Sequence, residues 1–280
     1  MKNKYTSLEV EKMTLKKLGL TLMALTLLVT LAACGTSSKN GLSKIKDKGT
    51  LTVAVSPDYA PFEFQMLKDG KNVVVGSDID LANEIGKALG VKVKIQAMDF
   101  NNVLASVTSG KADIAISGIS ADAERKKAYD FSDSYYSAQN VIVVKKSNQD
   151  KLKTLAEFKG QKVAAQKGSV QEKVATEQIK DASLVALIKT GQAINELKNG
   201  TVEGVVLEGP IAQSYVSANS DLMISDIKLD SSDTDSYCVA MPKKSDALKK
   251  EIDQVIKKLK ATDAVNKSVK KNFELAQTAK

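Results

Sequence analysis

Arg125 is the one arginine among 41 basic residues. Lysine is a mobile point charge, whereas a guanidinium is a planar fork that grips a carboxylate through two parallel hydrogen bonds. Arg125 follows Asp122 and Glu124, residue types that favour a helix N-terminus. A cation in a first helical turn opposes the helix dipole, so an anion has to compensate. A ligand carboxylate would do so, and so would a surface ion pair with Asp122 or Glu124. Ser120, five residues earlier, either shares that anion or caps the helix. Ser169-Val170-Gln171-Glu172 has the form of a capping box and follows a strand-like run and Gly168. The backbone N–H groups at such a helix start form a second anion site. Glu208 closes the apolar run VVLEG, where a carboxylate either meets a ligand ammonium or faces solvent in a turn. Tyr59 and Phe100 each follow a strand-like stretch; they either sandwich a ligand side chain or pack into the core. One fork, one carboxylate and two aromatics would together hold a free α-amino acid.

Other chemistries lack their residues. The chain has no histidine, which removes Ser-His and Cys-His catalysis and His-based metal centres. It has no P-loop and no dinucleotide fingerprint. No nucleophile sits beside a base, so no catalytic residue, cofactor or metal is expected. The net charge is +8, falling to +5 once residues 1–33, with five Lys and two Glu, are set aside. The excess is spread along the chain without interleaved aromatics, which argues against nucleic-acid binding.

These residues have to be positioned by an α/β framework. LTVAV and VKVKI read as strands, and IDLANEIGKAL carries apolar residues at helical spacing. Residues 102–108 read as a helix and ADIAIS as a short buried strand. Such alternation predicts a largely parallel sheet covered by helices. VLASVTSGKADIAISG can be laid over INELKNGTVEGVVLEG about ninety residues later, which predicts two similar lobes. Ligands sit off the C-terminal ends of parallel strands, so Ser117, Gly118 and Glu208 would face one cleft. Residues 136–146 and 233–242 look like long strands crossing between the lobes. Residues 248–259 form an amphipathic helix, and Cys238 reads as a small buried residue.

The N-terminus has another character. Lys16 and Lys17 precede an apolar run that closes in Leu31-Ala32-Ala33-Cys34. This is the form of a secretory signal, and the cysteine after LAA resembles a bacterial lipobox. That resemblance implies cleavage before Cys34 and lipidation of its thiol, anchoring the body at the outer membrane face. The small polar stretch GTSSKNG would be a flexible tether.

The stretches LTVAVSPDYAPFEF, VGSDIDLANEIGKALG, SGKADIAISGISADAERKKAYDFSDSYY and VAAQKGSVQE resemble the substrate-binding proteins of polar-amino-acid ABC importers, solute-binding family 3. The resemblance implies a two-lobe periplasmic-binding-protein fold of type II, each lobe a mixed, mainly parallel sheet flanked by helices, with two crossing strands as hinge. It places a signal peptide at 1–33, lipidated Cys34 and tether at 34–43, lobe 1 at 44–138 plus 236–280, and lobe 2 at 139–235. It further implies that Arg125 and Ser120 hold the ligand carboxylate, and that Ser169 and Val170 cover it from the other lobe. Ser117 and Gly118 would offer oxygens to the ammonium, Glu208 would pair with it, and Tyr59 and Phe100 would stack on the side chain. Ser56 and Gln166 fall at positions tied to specificity. Family members usually carry Asp at the Glu208 position, and relatives that bind basic or amide side chains often carry Asp at the Ser56 position. Asp58, Glu63 and Asp235, expected in loops near the pocket, favour a basic ligand such as arginine. Glutamine or histidine is the alternative ligand. A cyclohexadienyl-dehydratase-like enzyme or an extracellular sensor is the alternative of another class. The implied partners are a free amino acid, the membrane permease and, through lipid, the membrane; the protein would be a monomer.

Overall fold

The structure is a computed structural model that describes residues 41–230 and 236–278. The apolar N-terminal run, Cys34 and Asp235 lie outside them.

Helix α1 (Gly41–Lys48) leads into β1 (Thr50–Val55), whose last three residues are all buried. An antiparallel meander follows: β2 (Asp58–Tyr59), β3 (Glu63–Lys68) and β4 (Lys71–Val75). Helix α2 (Ser77–Leu89) buries Ile79, Leu81, Ala82, Ile85 and Leu89, the face its sequence period requires. It stops at Gly90, whose left-handed φ of 71° lets its N–H reach the Gly86 and Lys87 carbonyls. β5 (Lys92–Ala97) pairs with β1 in parallel. Helix α3 (Phe100–Thr108) returns the chain to β6 (Ile114–Ala115), on the other edge of β1. The short helix α4 (Arg125–Ala128), β7 (Tyr129–Phe131) and β8 (Tyr136–Ser137) complete this passage.

The second lobe repeats the device. β9 (Asn140–Lys145) enters it, followed by β10 (Lys162–Gln166), α5 (Val170–Gln178), β11 (Ser183–Leu187), α6 (Thr190–Asn199), β12 (Gly204–Glu208), α7 (Gly209–Ala218) and β13 (Leu222–Ile224). The chain then returns through β14 (Ser236–Tyr237) and β15 (Ala240–Pro242) to α8 (Asp246–Ala261) and α9 (Ala264–Thr278). The two sheets run β5-β1-β6-β15-β7 and β11-β10-β12-β9-β13. Three parallel strands are followed by two antiparallel ones in each, so β1, β5 and β6 have counterparts in β10, β11 and β12. The sequence repeat therefore marks one strand–helix–strand unit used twice.

Each expected long crossing strand is two short ones. β8 pairs with β14 between the lobes, Tyr136 opposite Tyr237, and the chain bends before entering β9 or β15. Phe62 stacks edge-on against both tyrosines, at 5.0 and 4.9 Å between ring centres. This aromatic cluster ties the crossing to the first lobe.

Candidate functional site

Between the lobes, a cavity is lined by Ser56, Tyr59, Phe100, Ser117, Gly118, Ser120, Arg125, Gln166, Ser169 and Val170, joined by Glu63 and Gln171. Ser56 and Ser117 follow the ends of β1 and β6, so the site lies off the C-terminal edge of a parallel pair. Ser117 Oγ accepts the Ser56 N–H at 3.0 Å and donates to Glu63 Oε1 at 2.5 Å. Gly118 has φ +53°, and a Cβ there would lie 3.2 Å from the Tyr59 ring, so only glycine lets that ring lie against the backbone.

Arg125 is the first residue of α4, and its own N–H is capped by Asp122 Oδ1 at 2.7 Å. Its side chain is 11% exposed. Nη1 donates to the Ser120 carbonyl at 2.9 Å, and Nη2 to the Gly168 carbonyl of the other lobe at 3.0 Å. Nε lies 3.7 Å from Asp122, and the guanidinium carbon sits 6.0 Å from the centre of the Phe100 ring. Burial lowers the guanidinium pKa and Asp122 opposes that shift; the group stays charged. The fork has five N–H donors, so donors beyond these two bonds remain for an anion. Ser120 is not the helix cap. It is buried, bridges to Tyr237 on the crossing strand, and its hydroxyl has no protein partner. Phe100 follows β5, as expected, and is the first residue of α3.

In the facing lobe, β10 ends at Gln166, and Gly168, with φ +80°, turns the chain into α5. The expected capping box does not form. Ser169 Oγ donates back to the Gln166 carbonyl at 2.6 Å, and Glu172 accepts the Gly168 N–H instead. The turn offers a carbonyl within reach of the hydroxyl, so no side chain caps α5 and its first N–H groups stay open to an anion. The side-chain amide of Gln166 donates over long distances, 3.5 Å to Asp58 Oδ1 and 3.4 Å to the Ile188 carbonyl.

Glu208 is not among the lining residues. It ends β12 opposite Asn140, is 2% exposed, and lies near Tyr237, whose hydroxyl pKa is raised by burial and then by the Glu208 charge. Gln171, which does line the cavity, bonds to Asn140 at 2.8 Å. Asp58 stands beside the cavity. Its carboxylate takes the Ser56 hydroxyl at 3.2 Å and the Thr190 N–H at 2.8 Å. Cys238 is buried, and burial pushes its thiol up to about 11.

Sequence reasoning placed Glu63 in a loop, whereas it is a fully buried residue of β3. Asp78, at the start of α2, is equally buried. Burial, and then the charge of Asp78, raises Glu63 well above the usual carboxylate range; burial also raises Asp78. The signal available in sequence was a glutamate set between Phe62 and Phe64. A roomier hollow behind the first lobe is lined chiefly by residues of α2, α8 and α9 and offers no cation to a carboxylate. Among the described residues no cluster of potential ligands could hold a metal ion.

Residues 51–275 match the model of the bacterial extracellular solute-binding proteins, family 3. The chain belongs to this family. Its framework is accordingly that of the type II periplasmic binding proteins. The arginine-binding extracellular protein ArtP of Bacillus subtilis is 36% identical over 214 residues, covering 74% of this chain and 79% of ArtP. A probable histidine-binding protein of Campylobacter jejuni is 32% identical over 203 residues, 72% of this chain and 77% of the relative. A crystal structure of the substrate-binding protein AbpA of Streptococcus pneumoniae bound to L-arginine superposes with a TM-score of 0.82 at 47% identity, covering 85% of this chain and 100% of AbpA. In this family-3 framework, a buried cation on one lobe and an uncapped helix start on the other line the same cavity.

Proposed function

We propose that this protein captures a free L-amino acid between its lobes, arginine above others, and delivers it to the permease of an ABC importer. One observation carries the reading: the only arginine of the chain is buried at the cavity, beside the unpartnered Ser120 hydroxyl and opposite the open start of α5. These groups would hold the α-carboxylate. Ser117 and the Gly118 backbone would receive the ammonium, with Glu208 contributing charge from behind. Tyr59 and Phe100 would flank the side chain, and Ser56 and Gln166 would meet its far end. The carboxylate of Asp58, bonded to both of these, favours a cationic terminus; ArtP, named for arginine, and AbpA, solved with L-arginine bound, support that choice. Neutral Ser56 and Gln166 favour histidine or glutamine as the alternative. Binding free energy would shift the balance between open and closed lobes rather than lower a chemical barrier. Calorimetric titration of the three amino acids tests the reading: arginine should bind with Kd of about 1 μM or tighter, near −8 kcal/mol. Failure of all three overturns it.

The protein would act as a monomer held to the outer membrane face by lipid on Cys34, a residue outside the described ones. No helix among the described residues is long and apolar enough to cross a membrane. Cys34→Ser should release the protein into the medium, and retention in the membrane fraction would contradict the anchor.

A further inference from the structure

We infer that Glu63 and Asp78 share a single proton beneath the cleft, held on Glu63 Oε2, which leaves Glu63 Oε1 to accept from Ser117 and the Ser117 hydroxyl as a hydrogen-bond acceptor towards the ligand. The second half rests on the proposal that the cleft takes an amino acid.

Both carboxyls have no solvent exposure, and they are neighbours beneath the cleft: Ser117 donates to Glu63, and the next residue, Gly118, to Asp78. Among the described residues neither has a lysine or arginine partner, and the groups acting on them are Asp58, Tyr135 and Tyr237. Two adjacent buried carboxylates without a cation cannot both be ionised. The hydrogen bonds locate the proton. Asp78 Oδ2 accepts two donors, the Gly118 N–H at 3.0 Å and the Tyr135 hydroxyl at 2.9 Å, which favours the ionised form of Asp78. Glu63 Oε1 accepts the Ser117 hydroxyl. The oxygens left over, Glu63 Oε2 and Asp78 Oδ1, are buried without a hydrogen-bond partner. A proton on Glu63 Oε2, donated to Asp78 Oδ1, satisfies both atoms at once.

Ser117 then has its one hydroxyl proton committed to Glu63, and one lone pair committed to the Ser56 N–H. Its remaining capacity is acceptance. An ammonium, which only donates, fits this; a carboxylate does not. Glu63 is thus a positioning residue that sets the polarity of the cleft, ammonium at Ser117 and carboxylate at Arg125, although its place at the cavity wall invites reading it as a counter-ion.

Amide substitutions test this. In Glu63→Gln the amide N–H replaces the shared proton and the amide oxygen still accepts from Ser117, so L-arginine affinity should stay within about threefold of the unsubstituted protein. Asp78→Asn should also be tolerated, its amide donating to an ionised Glu63. The double variant sets two amide donors face to face, and should lose more than about tenfold in affinity together with a lower Tm. Infrared difference spectra of the ligand-free proteins at neutral pH should show a protonated carboxyl that Glu63→Gln removes. A loss of more than about tenfold in Glu63→Gln at unchanged Tm would make Glu63 an ionised counter-ion and overturn the proposal. Absence of the protonated-carboxyl band overturns it without reference to any ligand. If the band is present and the unsubstituted protein binds no amino acid, the amino-acid reading fails, and the role of Ser117 with it, while the shared proton stands.

Discussion

Arg125 is bound twice by backbone carbonyls, one from each lobe, and still has donors left for a ligand. A lysine at this position keeps the charge but cannot bridge Ser120 and Gly168 while gripping both oxygens of a carboxylate. Arg125→Lys should therefore weaken L-arginine binding by about 2–4 kcal/mol, as for other buried charge partners. Calorimetry that finds unchanged affinity would remove the carboxylate-clamp role. Glu63 and Asp78 make a separate prediction about stability. Their folded pKa values are raised, Asp78 to about 6, above ordinary values near about 4. Between those values the folded state binds more protons than the unfolded state, so stability falls as pH rises. The contribution is fully present below the unfolded pKa and is lost as pH climbs through the folded one. Denaturant titrations should show this decline across about pH 4 to 6 and beyond, flatter in Glu63→Gln; a rise attributable to the pair would contradict the shared proton.

At the scale of elements, Gly76 decides how α2 meets the meander. Its φ is +135°, and a Cβ would lie 2.0 Å from the Phe62 carbonyl oxygen. That approach lets the Ser77 and Asp78 N–H groups bond to the Pro61 and Phe62 carbonyls, which sets Asp78 against Glu63. Gly76→Ala should cost at least about 2 kcal/mol of stability, read from the denaturation midpoint; a near-neutral effect would mean that the junction is slack. Helix α2 and strand β1 were legible because local period and burial agree there. Arg125, Ser120 and Ser169, singled out from local sequence signals, line one cavity; the anion they would hold belongs to the proposed function. Other features depend on distant partners. Glu63 is buried because β3 pairs with β2 and β4, which nothing in PFEF specifies. Ser169 matched a capping box, but at the Gly168 turn its hydroxyl donates to the Gln166 carbonyl instead of accepting the Glu172 N–H. The crossing strands broke where pairing changes from the β8–β14 ladder to the main sheets. Helix α9 followed α8 without any expectation from its sequence.

At the scale of the molecule, two lobes of one strand order meet across the cavity, and a few polar bonds join them. Arg125 reaches Gly168, the Asp58 carboxylate takes the Thr190 N–H at the start of α6, and the Tyr215 hydroxyl donates to the Asp58 carbonyl at 3.3 Å. A carboxylate at a helix N-terminus is worth about 1 kcal/mol or more when partly buried. Asp58→Ala should therefore favour the open arrangement, weakening arginine about 5- to 30-fold and enlarging the radius of gyration in solution scattering; tighter binding with no change in shape would contradict the latch. The central claim is that the cleft reads the carboxylate common to free amino acids. Calorimetry of the unsubstituted protein with L-arginine and with agmatine, which keeps the guanidinium and lacks the carboxylate, tests it most directly. L-Arginine should bind with Kd of about 1 μM or tighter and agmatine at least about 100-fold more weakly, since the Arg125 clamp has nothing to hold. Equal affinity for the two would contradict the account.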